Sequence, residues 1–521
     1  MAGCGKATPG GTLMSPFDAS ITTPQDAYED KRLADVHPQA WVNPEPADRY
    51  ALIIVGAGSA GVAAAELAIA MGVKVAMIER HLIGGTCLNT GCVPSKALIR
   101  TSRLYAEMRD AARYGAKVPD NIQVDFAAAM DRVRRIRSHL SGGSSVRRLA
   151  ALGVDMFFGN ARFAGPDTLM VNEQKLRFAK AMIATGTRPH VPTIPGLREA
   201  GFLTNANVFN LTELPQRLLV IGGGPVGCEL AQAFRHLGAQ VTIVQDKPLF
   251  LEKEERDAAQ ILSDAFARDG IEVRLNTQAT AVRVENGRKL VDLISADYHS
   301  TIEVDAILTG VGRSPNVQGL DLEAAGVDYD ADNGIGVDDF LCTSNPRIYA
   351  AGDVCLEEQY TDTAAASARI VVHNALMRGR KRLSKLVIPW CTYTDPEISH
   401  VGMYVREANR KGIPVKTFTV PMHQIDRAVT DSEEIGFVKI HIRDGTDTIL
   451  GATIVARHAG EMINEITLAM VGGLGLGTIA RTIHPYPTQA EAIKKVADAY
   501  NRTRLTPFVK GLFERWLAWT R

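Results

Sequence analysis

The sequence predicts an α/β protein with two parallel βαβ units, the second inserted into the first, and a C-terminal α+β domain. Two segments, "LIIVGAGSAG" and "LLVIGGGPVG", each indicate a buried strand that runs through a glycine-rich turn into a helix. Two shorter strand-like segments, "AMIATGTRP" and "IYAAGDV", lie on either side of the second unit. From Pro389 the pattern changes to alternating strands, "GFVKIHI" and "ILGATIVA", followed by a helix.

Length and composition limit the classes of protein to which the chain can belong. At 521 residues it is long enough for about three domains. Lys+Arg and Asp+Glu both number 58, so no charge excess points to nucleic acid. Seven cysteines in a chain of this length do not form a secreted disulfide framework. No signal-peptide pattern and no apolar run of about 20 residues is present, so we expect a cytoplasmic protein.

Residues 1–49 precede the first unit and are rich in Pro, Asp, Ala and Thr without clear periodicity. This composition predicts a loosely ordered extension. Cys4 lies within it, and we interpret this thiol as incidental.

The first unit predicts a Rossmann-like dinucleotide site. A buried strand is expected over 51–55, and a second strand over 73–78 ends at Glu79. The turn between the first strand and its helix carries the glycines of a G-x-G-x-x-G pattern, Gly56, Gly58 and Gly61. The first permits the tight turn, the second lets a pyrophosphate approach the backbone, and the third lets the helix pack on the strand. Glu79 has the right offset to bind ribose hydroxyls.

The second unit repeats the first at the same internal spacing. Its glycines are Gly222, Gly224 and Gly227. Gly222 lies 23 positions before Gln245, as Gly56 lies 23 positions before Glu79. Two such units imply two dinucleotides in one chain, which favours electron transfer between them.

The two flanking segments add a second set of backbone turns to the first unit. Thr185 and Gly186 follow one strand-like run, and Gly352 and Asp353 follow the other. Asp353 is placed to hydrogen-bond a ribityl or pyrophosphate group. The resulting domain prediction is an extension (1–49), a first domain (50–190 and 310–388), an inserted second domain (191–309), a third domain (389–504) and an amphipathic tail (505–521).

Two cysteines in "GGTCLNTGCVPSK" predict dithiol redox chemistry. On one continuous helix Cys87 and Cys92 would lie about 7.5 Å apart along the axis and on different faces, too far for a disulfide. We therefore expect a loop between them and a helix that opens at Cys92 and carries Lys96. A thiol at a helix N-terminus has its thiolate stabilised by the dipole and by nearby cations. A metal site is not expected, because no second Cys/His cluster accompanies the pair.

These motifs together resemble the class I pyridine nucleotide–disulfide oxidoreductases, the group of glutathione reductase, dihydrolipoamide dehydrogenase and mercuric reductase. The resemblance covers residues 50–500 through "GAGSAG", "GGTCLNTGCVPSK", "ATGTRP", "GGGPVGCEL", "AAGDV", "YTDPEISHVG" and "HPYPTQAE". It implies FAD in the first unit, NADPH or NADH in the second, and a homodimer built by the third domain. Gly85 and Thr86 would then belong to the FAD site.

The resemblance also implies roles for individual side chains. Cys92 would lie against the flavin, and Cys87 would be the interchange thiol that faces substrate. Lys96 and Glu229 match the positions where the family places a charged pair near the flavin.

The C-terminal motif departs from the disulfide reductases of this group. They place a catalytic histidine five residues before an orienting glutamate, whereas here Tyr486 lies five residues before Glu491. Tyrosine, with an ordinary pKa near 10, is a poor proton shuttle, and a soft metal ion needs no proton. Mercuric reductase is similar in having tyrosine there. His484 is an alternative base, although Pro485 intervenes.

Another departure leaves the electron acceptor open. Mercuric reductase has paired cysteines in its C-terminal tail, whereas no cysteine follows Cys391 here. We expect a flavoprotein that reduces a metal ion or small electrophile, mercuric reductase-like. The alternatives are dihydrolipoamide dehydrogenase or another disulfide reductase, and a non-catalytic redox-sensing flavoprotein. The choice of nicotinamide is also open: neutral Gln245 does not favour the 2′-OH of NADH, and Lys247 could meet a 2′-phosphate, which inclines the prediction towards NADPH.

The C-terminal tail predicts a helix that begins at Thr506-Pro507. Phe508, Leu512, Trp516 and Trp519 recur at helical spacing and form one apolar face. We expect this face to pack on the protein's own body. The alternative is an anchor at a membrane surface, which the mixed charges of Lys510, Glu514 and Arg515 do not favour.

Overall fold

The computed structural model describes residues 24–119, 121–296 and 298–520, so Cys4 lies outside the described residues. The first part of the chain forms α1 (Ala27–Val36), β1 (Tyr50–Val55), α2 (Ser59–Ala70), β2 (Val75–Glu79), α3 (Gly85–Thr90), α4 (Cys92–Asp110), α5 (Phe126–Ser141), α6 (Val146–Ala151), β3 (Asp155–Phe158), β4 (Ala161–Gly165), β5 (Thr168–Val171), β6 (Gln174–Ile183) and β7 (Thr187–Pro189). The central strands are continuous apolar runs because both faces of the parallel part of the sheet are covered. Helix α2 packs on one face, and the β4–β5 strands with residues 320–327 pack on the other. The first predicted βαβ unit is confirmed as β1, α2 and β2.

The inserted unit forms a second parallel sheet of its own. Its elements are α7 (Leu197–Ala200), β8 (Arg217–Ile221), α8 (Pro225–His236), β9 (Gln240–Val244), α9 (Arg256–Asp269), β10 (Glu272–Arg274), β11 (Gln278–Glu285), β12 (Arg288–Ile294), β13 (His299–Val304) and β14 (Ala306–Thr309). The parallel strands follow the order β10-β9-β8-β14, and β11, β12 and β13 form a separate antiparallel sheet.

The chain then returns to the first sheet. This stretch contains β15 (Arg313–Pro315), β16 (Tyr329–Asp330), β17 (Gly334–Ile335), β18 (Ile348–Ala350) and α10 (Thr361–Met377). The first sheet has the order β3-β2-β1-β6-β5-β4, and β18 pairs in parallel with β6. That pairing confirms that the second unit is inserted in the first.

The C-terminal part is built on an antiparallel sheet. Its elements are β19 (Pro389–Thr392), β20 (Glu397–Gly402), α11 (Val405–Arg410), β21 (Val415–Pro421), α12 (Asp426–Thr430), β22 (Phe437–Arg443), β23 (Ile449–Ala456), α13 (Ala459–Val471), α14 (Leu476–Arg481), α15 (Glu491–Thr503) and α16 (Pro507–Trp519). The strand order is β19-β20-β23-β22-β21. The predicted strands and helix of this α+β part are confirmed.

The prediction of a loosely ordered extension is wrong for α1. Asp26 caps this helix by accepting hydrogen bonds from the amides of Tyr28 and Glu29, each at 2.9 Å. Its buried side chains are Glu29, Arg32 and Val36. Because α1 buries an ion pair rather than an apolar stripe, hydrophobic periodicity does not reveal it.

The C-terminal tail forms the predicted helix, but its apolar face is not covered. Thr506 accepts a hydrogen bond from the amide of Val509 at 3.3 Å, and Pro507 is the first helical residue. No side chain of α16 is buried. The expectation that this face packs on the protein's own body is therefore wrong within one chain. Among the described residues, no helix is long and apolar enough to cross a bilayer.

Candidate active site

Three glycines close the first strand–helix turn as the sequence predicts. Gly56 has φ +106°, and a Cβ there would lie 2.4 Å from the carbonyl oxygen of Ala184. A Cβ on Gly61 would lie 1.9 Å from the carbonyl oxygen of Gly56, so only glycine lets α2 pack this closely on β1. Gly85 approaches from the dithiol segment, and a Cβ there would lie 2.8 Å from the Cα of Gly58. Two backbones thus meet at the N-terminus of α2, where amides bind phosphate well.

A cavity of about 1240 Å³ borders this turn. Glu79 lines it and accepts hydrogen bonds from the amides of Ala57 and His81, each at 2.8 Å. Burial raises the pKa of Glu79 despite these two bonds. Thr185 also lines the cavity and donates its hydroxyl to the carbonyl of Asn316 at 2.8 Å, and Gly186 follows with φ +65°. Three of the residues predicted for the first dinucleotide, Gly56, Glu79 and Thr185, therefore line the cavity.

Asp353 and Gly352 lie at the end of β18. The carboxylate of Asp353 accepts a hydrogen bond from Thr187 at 3.0 Å and lies 3.9 Å from the guanidinium of Arg313. Burial raises the pKa of Asp353, and the positive charge of Arg313 opposes that effect. A Cβ on Gly352 would lie 3.2 Å from that of Ala364, so glycine lets α10 approach this turn closely.

The dithiol lies at a break between two helices. Cys87 lies within α3 and Cys92 is the first residue of α4, and Gly91 separates them with φ −132° and ψ −111°. The prediction that α4 opens at Cys92 is confirmed. The prediction of a loop between the cysteines is wrong, because the chain keeps one helical turn and bends only at Gly91.

Contacts around the two thiols lower the pKa of one and raise the pKa of the other. Both are free thiols, and Cys92 lies 3.2 Å from the hydroxyl of Thr361 at the start of α10. A hydrogen bond with Cys87 lowers the pKa of Cys92 to about 6 against the opposing effect of burial, and Thr361 and Lys96 add to the lowering. The same hydrogen bond raises the pKa of Cys87, and burial raises it further. These contacts favour the negative charge on Cys92 rather than on Cys87.

Lys96 and Glu229 form the predicted charged pair, with 2.8 Å between Nζ and Oε2. The other carboxylate oxygen of Glu229 accepts a hydrogen bond from the amide of Tyr393 at 2.9 Å, and Lys96 lies 4.4 Å above the Tyr393 ring. Burial lowers the pKa of Lys96, but its pairing with Glu229 and its proximity to Cys92 leave it raised. Lys96 is therefore a fixed cation beside the dithiol.

The second glycine turn copies the first. A Cβ on Gly222 would lie 2.5 Å from the carbonyl oxygen of Gly310, and one on Gly227 would lie 2.2 Å from that of Gly222. Gly224 caps α8. Gln245 accepts a hydrogen bond from the amide of Gly223 at 2.7 Å, as Glu79 does from Ala57.

Lys247 is exposed and pairs with Glu252 at 2.7 Å. A 2′-phosphate would have to compete with that carboxylate for the lysine.

The C-terminal motif lies on the third domain. Tyr486 is 71 % exposed and donates its hydroxyl to Asp426 at 2.8 Å, and this bond raises its pKa. Oε2 of Glu491 is buried and has no hydrogen-bond partner among the residues that the structure describes. Within one chain, the described residues show no hydrogen bond from Tyr486 to either thiol.

His484 is held by other groups. Its Nε2 lies 3.0 Å from Glu465, and its Nδ1 lies 3.3 Å from the carbonyl of Thr482. With both ring nitrogens engaged, His484 is a poorly placed substitute base.

Comparison with known proteins decides the family. The model of the pyridine nucleotide-disulphide oxidoreductases matches residues 50–375, and that of their dimerisation domain matches residues 388–497. The chain belongs to this family. It is therefore an NAD(P)H-dependent flavoprotein disulfide oxidoreductase, its cofactors are FAD and NAD(P)H, and its dimerisation domain implies a homodimer.

Its relatives have several different activities. Mercuric reductase from Lysinibacillus sphaericus is 35 % identical over 87 % of this chain and 83 % of its own. Dihydrolipoyl dehydrogenase from Thermus scotoductus is 34 % identical over 87 % of this chain and 98 % of its own. The Cu(II) complex of the HOCl-induced flavoprotein disulfide reductase RclA from Escherichia coli has a TM-score of 0.77 and 29 % identity, covering 85 % of this chain and 99 % of that one. LpdA from Mycobacterium tuberculosis has a TM-score of 0.78 and 28 % identity, covering 87 % of this chain and 100 % of that one.

The residues present fit the family's cofactors. The open backbone at Gly58, the cavity beside Glu79 and the carboxylate of Asp353 suit the phosphates and hydroxyls of FAD. The matching turn at Gly222 and Gln245 suits a nicotinamide dinucleotide. Thr361 and Arg313 were not found by sequence reasoning, because each lies far along the chain from the group that it contacts. Among the described residues, no group of three His, Cys, Asp or Glu side chains could hold a metal ion.

Proposed function

We propose that Cys87 and Cys92 are the redox pair and that the reduced pair delivers two electrons to a soft metal ion or a small electrophile. The single observation that carries this is the position of Tyr486. The hydroxyl at the family's usual histidine position donates to Asp426, and His484 is held by Glu465 and a backbone carbonyl. The motif therefore offers no free acid–base group to protonate a leaving thiolate.

The chain's own groups have separate roles in this proposal. NAD(P)H and FAD, when bound, supply the two electrons that reduce the disulfide. Cys92, the thiol of lower pKa, holds negative charge beside Lys96. Cys87, the thiol of higher pKa, is the interchange thiol that faces the acceptor. Glu229 positions Lys96 and ties it to the backbone of Tyr393.

Electron and proton balance explains why the acceptor matters. When the pair, with Cys92 as thiolate and Cys87 as thiol, reduces a divalent soft metal ion to the element, the sulfurs lose two electrons, form one S–S bond and release the Cys87 proton, and the product needs no proton. When it reduces an organic disulfide, two thiolates leave and need protons, of which Cys87 supplies one; a positioned acid accelerates such protonation by roughly 10²–10⁴. Tyr486, with its pKa raised by Asp426, is a poor source of those protons.

The relatives support a metal acceptor. Mercuric reductase is 35 % identical to this chain, and a similar structure is a Cu(II) complex. Dihydrolipoyl dehydrogenase activity is the second candidate, favoured by 34 % identity over 98 % of that relative. We favour NADPH over NADH because Gln245 is neutral and Lys247 lies near it, although Glu252 competes for that lysine. The cytoplasmic location stays a prediction.

The acceptor can be determined by steady-state assays. We expect purified enzyme with NADPH to reduce Hg²⁺ or Cu²⁺ at least about 100-fold faster than glutathione disulfide, given the missing acid. Dihydrolipoamide oxidation should be equally slow. In an anaerobic titration with NADPH, the enzyme should first take up two electrons and develop a long-wavelength absorbance band from a thiolate–flavin charge-transfer complex. The flavin absorbance should bleach only on further reduction. Rapid turnover of dihydrolipoamide, or bleaching without that band, would contradict the proposal.

A further inference from the structure

The first inference concerns α16, the helix that buries none of its side chains. At 100° per residue, its large apolar side chains cover about half of the circumference. They are Phe508, Val509, Leu512, Phe513, Trp516, Leu517 and Trp519. Exposure reaches 81 % at Phe508 and 84 % at Trp519. Such a face in water requires a covering surface.

Hydrogen bonds do not attach α16 to the rest of the chain. Among the described residues, every hydrogen bond of 505–520 has its partner within 502–520. The helix follows α15 after a short exposed link at Arg504 and Leu505. It is therefore free to dock on another surface.

The charge of the C-terminal segment indicates the kind of surface on which α16 docks. Residues 502–521 contain five cations, Arg502, Arg504, Lys510, Arg515 and Arg521, and one acid, Glu514, which is 5 − 1 = +4 in a chain of net charge zero. Charges inside the helix alone look mixed, but the end of α15 makes the segment basic. In the described part of the chain none of the first four cations forms an ion pair. Two copies of α16 would bring like charges together.

We propose that α16 lies on the surface of an anionic lipid bilayer. Its aromatic side chains would insert at the headgroup boundary, and its cations would face the lipid phosphates. The dimer would carry two such helices, which increases binding through two linked contacts.

Vesicle flotation of the full-length dimer tests this proposal. We expect binding to phosphatidylcholine vesicles with about 30 % phosphatidylglycerol, and much weaker binding to pure phosphatidylcholine or in 0.5 M salt. Fluorescence of Trp516 and Trp519 should shift to the blue on binding. The double variants Trp516→Ala/Trp519→Ala and Lys510→Glu/Arg515→Glu should each weaken binding at least tenfold, because they remove the aromatic and the cationic contacts respectively.

The matched control is Arg410→Glu/Lys411→Glu, which reverses two exposed cations at the C-terminal end of α11 and should leave vesicle binding unchanged. Absence of binding to anionic vesicles at low salt would overturn the proposal, and so would binding that survives deletion of 506–521. If that deletion dissociates the dimer and no vesicle binding is seen, α16 covers a second copy of the chain instead.

A second inference comes from the buried contacts of α1. Asn89 lies in α3, two residues after Cys87, and is 2 % exposed. Arg32 of α1 donates to its side-chain oxygen, and Arg137 of α5 donates to its carbonyl at 3.0 Å. Glu29 pairs with Arg32, and 3.5 Å separates it from Arg137. The Asn89 amide in turn donates to the carbonyls of Ile83 and Gly85.

The geometry points to Arg32 as a positioning residue for the dithiol helix. The family model begins at residue 50, so α1 lies outside it. Arg32, Glu29, Arg137 and Asn89 are each at most 2 % exposed, and such buried charged hydrogen bonds hold a segment in one arrangement. This inference rests on the proposed redox role of Cys87 and Cys92.

The positioning role of Arg32 is tested by comparing an activity that needs the dithiol with one that needs only the flavin. Arg32→Ala should slow NADPH-dependent reduction of an acceptor that uses the dithiol about tenfold or more, because a displacement of about 1 Å can cost up to 10² in rate. NADPH–ferricyanide activity, which needs the flavin alone, should remain. Arg32→Lys, which keeps the charge but cannot pair in bidentate fashion with Glu29 and also donate to Asn89, should be intermediate. Arg134→Ala is the matched control, because Arg134 ties α5 to Asp26 beside α1 without contacting Asn89.

The results of these variants distinguish a failure of the positioning role of Arg32 from a failure of the proposed redox pair. If Arg32→Ala fails to fold, Arg32→Met, which fills more of the space and leaves Glu29 paired with Arg137, replaces it. Equal loss of both activities in the folded variant, or no loss of the dithiol activity, would overturn the positioning role. If Cys92→Ser also keeps the dithiol activity, the proposed redox pair itself is wrong.

Discussion

Cys92→Ser is expected to lower dithiol-dependent turnover at least ~100-fold, since a serine hydroxyl cannot form the disulfide that stores the electrons. The variant should still bind FAD, because the FAD contacts proposed here come from the Gly56 turn, Glu79 and Asp353 rather than from the thiol. Its long-wavelength band on two-electron reduction should be absent. Absorbance spectra during anaerobic titration, together with bound FAD per chain, measure both effects.

The wild-type band should also depend on pH. Contact with Cys87 lowers the pKa of Cys92 to about 6, so the thiolate is present above that pH and is lost as the pH falls through it. Cys342→Ser is the matched control, since Cys342 is a partly buried thiol of the first domain with a pKa raised by burial. It should keep the band and the turnover. A band that persists in Cys92→Ser would show that another group donates to the flavin.

Tyr486→His is expected to raise glutathione disulfide or lipoamide reduction by about 10²-fold, the lower end of the range for a positioned acid. Histidine has an ordinary pKa near 6.5 and can protonate a leaving thiolate at neutral pH. Glu491 has a buried oxygen without a partner among the described residues, five residues away and available to orient the new imidazole. The measurement is the ratio of the steady-state kcat/KM for the organic disulfide to that for Hg²⁺.

Two further variants isolate the cause of that gain. Tyr486→His/Glu491→Gln keeps the imidazole but removes the carboxylate, and it should lose most of the gain. Tyr486→Phe removes the hydroxyl bonded to Asp426 without adding a base, and it should leave disulfide reduction slow. Unchanged disulfide reduction in Tyr486→His would refute the acid–base explanation of the tyrosine.

Local sequence patterns predicted the two βαβ units well. Each unit depends on neighbours in the chain, because Gly56 and Gly61, or Gly222 and Gly227, lie within six residues of each other. A Cβ atom on Gly61 or Gly227 would clash with the backbone of Gly56 or Gly222 in the same turn, so the requirement for glycine at these two positions is visible in the sequence. The pairing of Lys96 with Glu229 was available only through resemblance, since 133 positions separate them.

Apolar periodicity does not predict the structure where buried polar groups or a single irregular residue determine it. Helix α1 was missed because Glu29 and Arg32 are buried as partners of each other and of Asn89. The spacing of Cys87 and Cys92 predicts a loop between them only if the alternative is one straight helix. A single irregular residue, Gly91, brings the thiols together while the preceding turn stays helical.

The sequence by itself determined the order of the domains, the two dinucleotide turns, the cysteine pair and the replacement of a histidine by Tyr486. These features depend on residue type at short spacing, which a linear chain displays directly. Only the tertiary structure decided that contacts with Cys87 and Thr361 lower the pKa of Cys92, that Arg32 donates a hydrogen bond to Asn89 of α3, that His484 is engaged, and that α16 is uncovered. Those outcomes depend on contacts between distant segments and on burial, and burial is set by the folded chain as a whole.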